Sequence, residues 1–199
     1  LEIGAWVIDE AARQVAEWRR EHGLELRVAV NVSSLQLRHG DFLATLRRTL
    51  DRHGLQPVDL QIELTESSLL ENDAHTRALV RDIADAGCEL ALDDFGTGYS
   101  ALSYLKAFPF DYVKIDRSFV RDMLDSPRDA ALARSIVAMA QSLGMRVVAE
   151  GIERREHCEL LSGYGCDLAQ GYFFSKPLPA DELRDFFARW RSQPWCVAA

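Results

Sequence analysis

Apolar and polar residues recur along this chain with two periods, and the switches between them mark its elements. The opening LEIGAWVIDEAARQVAEW places Ile3, Trp6, Val7, Ala11 and Val15 near one face at helical spacing, which predicts an amphipathic helix ending near residues 22–23. RVAVNVS then alternates, with Val28, Val30 and Val32 on one side and Ala29, Asn31 and Ser33 on the other. Asp41 is placed to cap a helix carrying Phe42, Leu43, Leu46 and Leu50, with Gly54 as its stop. DLQIELTE alternates again, Gln61, Glu63 and Thr65 opposing Leu60, Ile62 and Leu64. A helix over about 71–87 leads to CELALDD, where Glu89, Ala91 and Asp93 oppose Cys88, Leu90 and Leu92. After a bend at Gly96 and Gly98, YSALSYLKAF predicts a short helix halted before Pro109, and DYVKID a strand with Lys114 opposite Val113 and Ile115. Pro127 opens a long helix whose predicted core stripe is Leu132, Ile136, Met139, Ala140 and Leu143. MRVVAEG carries Glu150, a helix runs through Leu160 and Leu161, and CDLAQ brings Gln170 to a strand end. ADELRDFFARW is a last helix packing Leu183, Phe186, Phe187 and Trp190, and 192–199 form a tail.

Six strand-helix units in succession with no hairpin signal imply parallel strands joined by helical crossovers. Asn31, Glu63, Asp93, Lys114, Glu150 and Gln170 end the six strands, each opposite the branched apolar face. A doubly wound sheet concentrates its chemistry at one switch point, whereas a parallel barrel gathers the carboxyl ends of all its strands at one mouth. The expected fold is therefore α/β, a TIM-type (β/α) barrel with about six units in the chain.

At 199 residues and 48% hydrophobic, the chain has the composition of one globular domain, expected over 1–191. A net charge of −8 without a dense Lys/Arg block argues against binding to a DNA or RNA duplex. Among the four cysteines there is no CxxC pair, and no HExxH spacing joins the five histidines, so reduced structural thiols in a cytoplasmic setting are expected. No apolar run reaches membrane-spanning length, so any membrane anchor of a full-length protein is expected from outside this chain. Beginning at Leu1 in mid-helix, the sequence reads as a fragment.

Adjacent carboxylates at Asp93 and Asp94, converging with Glu63 and Glu150, carry excess negative charge that hard cations such as Mg²⁺ or Mn²⁺ relieve. Two such ions would suit phosphodiester hydrolysis. Two other readings of the same residues are an interior ion-pair network, Lys114 pairing with Glu63 or Glu150, and a Schiff-base lyase with Lys114 as nucleophile.

The motifs NVS, ELTES, DDFGTGYSALSYL, KIDRSFV, AEGIE and QGYFFSKPLP resemble the EAL family of cyclic di-GMP phosphodiesterases from Leu1 to about Trp190. The resemblance implies a TIM-type barrel, two Mg²⁺ or Mn²⁺ ions, and cleavage of cyclic di-GMP to linear pGpG. It implies metal ligation by Asn31, Glu63, Asp93, Asp94 and Glu150, water positioning or charge stabilisation by Lys114, a base role for Glu150, and support from Gln170. Glu66 resembles the glutamate that braces the following loop, and that loop, Phe95, Gly96, Thr97, Gly98, Tyr99 and Ser100, is associated with a homodimer contact and control of metal binding. The EAL signature itself, with its glutamate ligand, an arginine and the first two strands, is absent, so poor hydrolysis by the fragment is expected, with activity in the intact protein. A sensor or diguanylate cyclase domain is the expected upstream companion. The alternative is an inactive cyclic di-GMP receptor or protein-interaction module.

Overall fold

The computed structural model of the chain describes residues 1–39, 41–69, 74–96 and 101–190. The expected tail, 192–199, lies outside them, as do Cys196 and the loop residues Thr97, Gly98, Tyr99 and Ser100. Two compact units are present: residues 1–93 with 98–111, and residues 94–97 with 112–199.

In the first unit, α1 (Glu2–His22) leads to β1 (Val28–Asn31), α2 (Ser34–His39) and α3 (Phe42–His53), then β2 (Leu60–Thr65), α4 (Ala74–Asp85), β3 (Glu89–Phe95) and α5 (Ala101–Ala107). The last two residues of β3 belong with the second unit. β1, β2 and β3 are adjacent and parallel, with Val28 opposite Leu60 and Gln61 opposite Glu89. Ile62, Leu64, Leu90 and Leu92 are wholly buried, as are Gln61 and Glu63 nearly so on the other face; a strand covered on both sides is the parallel pattern. α3 follows expectation: the Asp41 carboxylate accepts the Ala44 N–H at 3.4 Å, and Phe42, Leu46 and Leu50 are buried. β3 is anchored at its start by a loop carboxylate, Asp111 accepting the Leu90 N–H at 2.8 Å.

The second unit contains β4 (Tyr112–Ile115), α6 (Arg117–Arg121), α7 (Pro127–Ser142), β5 (Arg146–Ala149), α8 (Arg155–Gly163), β6 (Leu168–Ala169) and α9 (Leu183–Trp190). β4, β5 and β6 are again parallel, Val113 opposite Val147 and Ala149 opposite Ala169. Here too a carboxylate holds the strand start, Asp167 accepting the Val147 N–H at 2.8 Å. Pro127 is the first residue of α7, and Ser126 caps it by accepting the Asp129 N–H at 3.3 Å. Around α9, Phe186, Trp190 and Phe174 form a tilted aromatic cluster with centroids 5.4 and 5.6 Å apart.

Two helical faces differ from the periodicity reading. α1 buries Ile8, Ala12 and Val15, leaving Ile3 and Trp6 exposed at 78% and 64%. α7 buries Ala133, Val137 and Ala140, while Leu132 and Leu143 are exposed at 40% and 52%. In α7 small side chains line the buried face and the leucines fall beside it; in α1 Ile8 is buried with Ala12 and Val15. α2 and α6 were not anticipated. The expected start of α4 at 71 falls outside the described residues. No described helix is long and apolar enough to cross a membrane. Cys88, Cys158 and Cys166 carry free thiols.

Candidate active site

The strand-end residues fall into two sets, one per unit. In the first, Asn31 closes β1 opposite Glu63 in the parallel register, and the Val32 N–H donates to the Glu63 carbonyl at 2.9 Å, continuing the pairing. Asp93 pairs with Thr65, whereas Glu63 pairs with Ala91, so Asp93 stands two residues further along the same face. Both acids are buried. Thr65 is a polar group at the level of Asp93 that the sequence reading did not single out; its hydroxyl lies 2.9 Å from those of Ser67 and Ser68. The alternation of Glu63 with Thr65 carried that signal. Glu66 is buried at the start of a 3₁₀ turn over Glu66–Leu69.

In the second set, Lys114 lies on β4, Glu150 immediately follows β5 and Gln170 immediately follows β6. Lys114 pairs with Val148, two residues before Glu150, and Val148 pairs with Leu168, two before Gln170. An even offset in a strand returns the side chain to the same face, so all three share it. The Glu150 N–H donates to the Ile115 carbonyl at 3.1 Å, and the Gln170 N–H to the Ala149 carbonyl at 2.8 Å, so both side chains are carried by paired backbone. Lys114 is only 5% exposed, and its Nζ lies 2.8 Å from Glu150 Oε1. Glu150, one of the two acids considered as its partner, pairs with it. A Schiff-base nucleophile must be an uncharged amine, and an ammonium held against a carboxylate is the opposite arrangement.

Asp94 and Glu150, both in the second unit, present carboxylate oxygens within 4.8 Å of each other, and Asp93, joined to Asp94 through its peptide bond, completes a group of three. Three carboxylates against one ammonium leave an excess of negative charge, and the donors are hard oxygens. The donor set, hard oxygens in close proximity, fits a divalent ion of the Mg²⁺ or Mn²⁺ kind. The backbone at Asp94 is also unusual: its φ of 54° makes it the one non-glycine described residue in the left-handed region. That conformation costs an ordinary residue roughly 1–2 kcal/mol, and least for Asp and Asn.

Comparison with known proteins gives this geometry its setting. The sequence model of the EAL domain family matches residues 1–177. The cyclic di-GMP phosphodiesterase PdeR of Escherichia coli (strain K12) is 41% identical over 188 residues, covering 94% of this chain and 28% of PdeR. The solved PaMucR phosphodiesterase in complex with c-di-GMP superposes with a TM-score of 0.85 at 38% identity, over 92% of this chain and 74% of that one. Klebsiella pneumoniae BlrP1, solved as a manganese/cy-diGMP complex, superposes with a TM-score of 0.80 at 33% identity, over 88% of this chain and 44% of that one. The chain spans about a quarter of the length of the curated relatives it matches. The fold is the α/β, TIM-type architecture of these structures, as the alternation of strands and helices implied. The chain is a member of the EAL domain family.

Proposed function

We propose that this chain belongs to the catalytic portion of a phosphodiesterase that hydrolyses cyclic di-GMP to linear pGpG in the presence of Mg²⁺ or Mn²⁺. The observation that carries the reading is the Asp93, Asp94 and Glu150 carboxylate group with Lys114 Nζ at 2.8 Å from Glu150. Asn31, Glu63, Asp93, Asp94 and Glu150 are the residues that would hold two cations. When bound, such ions acidify water and stabilise charge on the phosphoryl oxygens. Lys114 fixes one oxygen of Glu150 and would supply a positive charge for a bound phosphate. The Glu150 carboxylate would be the acceptor for the proton that the attacking water loses as its oxygen bonds to phosphorus and the P–O3′ bond breaks. Gln170 is exposed beside Glu150 and its amide is available to orient the diester.

The test is product analysis with the purified intact protein that contains this chain and cyclic di-GMP, with Mn²⁺ or Mg²⁺ and with chelator. Linear pGpG should appear only with metal. Glu150→Gln removes the proton acceptor and should lower the rate by about 10²-fold or more, and Lys114→Met by a comparable factor. Metal-independent turnover would overturn the reading. Tight binding of cyclic di-GMP with no product under any condition would favour the receptor alternative.

A further inference from the structure

Both carboxylates that the second unit contributes to the acidic group are followed closely by a glycine, and both glycines meet the same short helix. Gly151, directly after Glu150, has φ of 70°, and a Cβ there would lie 2.5 Å from Arg117 Cβ and 3.2 Å from Arg117 Cα. Gly96, two residues after Asp94, has φ of 96°, and a Cβ there would lie 2.9 Å from Cε2 and Cζ of Phe119. Arg117 and Phe119 both belong to α6, which starts two residues after the last residue of the Lys114 strand. α6 is itself held at its start: Asp116 accepts the Ser118 N–H at 2.9 Å, and the Phe119 N–H donates to the Asp116 carbonyl at 3.0 Å. At Gly151 a Cβ would meet Arg117 next to its backbone, and at Gly96 it would have to displace the Phe119 ring; the positive φ strains a larger residue at both.

We propose that α6 is a positioning brace, Arg117 seating the turn after Glu150 and the Phe119 ring seating the turn after Asp94, so that the two carboxylates are held at the separation a divalent cation can bridge. The Arg117 contact is made at its Cα and Cβ, so it is a property of the backbone path. The Phe119 contact is made by the far edge of a half-buried ring, so it depends on that side chain. Asp94 sits in the left-handed region at a cost, and such a residue stays there only when its surroundings over-determine it. The ring packed on Gly96 is one contact that does so. Removing it lets the Asp94–Gly96 segment relax toward ordinary backbone angles, which rotates the Asp94 carboxylate away from Glu150.

This inference rests on the proposed metal site, and Mn²⁺ titration by calorimetry, paired with melting curves in metal-free buffer, separates the two. Phe119→Ala should weaken Mn²⁺ binding by at least about tenfold, the scale of residues that orient ligands, while Phe119→Tyr, which keeps the ring, stays within about twofold. A merely structural role for Phe119 would lower the metal-free melting temperature and leave Mn²⁺ affinity alone, and that result overturns the brace. If Phe119→Ala does not fold, Gly96→Ala takes its place, because the added methyl displaces the ring; unchanged Mn²⁺ affinity there overturns the brace equally. Failure of the unsubstituted protein to bind Mn²⁺ overturns the metal reading itself, and the brace with it.

Discussion

Asp59 shows how a single buried carboxylate is held in this chain. Arg19 meets it with two N–H donors at 2.5 and 3.1 Å, and the Gln56 N–H adds a third at 2.8 Å. Burial pushes the Asp59 carboxyl up, but the Arg19 guanidinium and the backbone N–H outweigh it and hold the group below the usual carboxylate range. A depressed folded-state value means stability that is present above the unfolded pKa of about 3.9 and is lost as pH falls through the folded value. Asp59→Asn should therefore cost roughly 1.5–3 kcal/mol at neutral pH. Urea unfolding at pH 7 and pH 3 measures it, and the gap between wild type and variant should narrow at the lower pH. Cys166 gives a second case with the opposite sign. Its thiol, lying 3.3 Å from the Leu168 carbonyl, is pushed up to about 11, chiefly by burial. Alkylation of Cys166 should then be at least about tenfold slower than that of free cysteine at pH 8, and its rate should keep rising up to pH 10, where exposed thiols with a pKa near 8.5 have levelled off. A rate that plateaus below pH 9 would show an ordinary thiol.

At the scale of elements, the strands were legible in the sequence and two helix faces were not, for one physical reason. Strand alternation has period two, so each apolar residue in DLQIELTE or CELALDD assigns its face without ambiguity, and the register carries Asn31, Glu63 and Asp93 to one side. Helical faces are wider, and bulky apolar residues dominate the eye. In α7 the buried stripe is Ala133, Val137 and Ala140, because small side chains let a helix approach closely; Leu132 and Leu143 lie outside it. Ala133→Leu should accordingly cost about 1–3 kcal/mol by overpacking, whereas Leu132→Ala should stay within about 0.5 kcal/mol, both read from thermal or urea unfolding. Equal effects would restore the leucine-centred face. The candidate site was legible to a similar depth. Strand-end polarity pointed to Lys114, Glu150 and Gln170, but no pattern in the sequence gives the 2.8 Å approach of Lys114 to Glu150, since that is set by the stagger of β4 and β5. α6 went unseen because five residues are too few to show a period, and its role depends on glycines distant in sequence.

For the whole molecule, the acidic group is a standing cost that ligand binding should reverse. Asp93, Asp94 and Glu150 bring their oxygens within 4.8 Å in a chain already at net charge −8, and like charges that close repel, an effect that Lys114 beside Glu150 offsets in part. A cation that binds the folded chain and not the unfolded one adds stability by mass action, about 2.7 kcal/mol at a free concentration 100 times its Kd. For a chain of this length that corresponds to a rise in Tm of roughly 5–11 °C. Asp94→Asn separates this linkage from any general salt effect, because it removes one proposed ligand and one of the neighbouring charges together. The variant should melt no lower than wild type in metal-free buffer, and should lose most of the Mn²⁺-dependent rise. A variant that gains as much from Mn²⁺ as wild type would place the stabilising cation elsewhere on the acidic surface. A variant that melts well below wild type without metal would instead mean that Asp94, in its left-handed turn, contributes more through its hydrogen bonds than it costs through its charge.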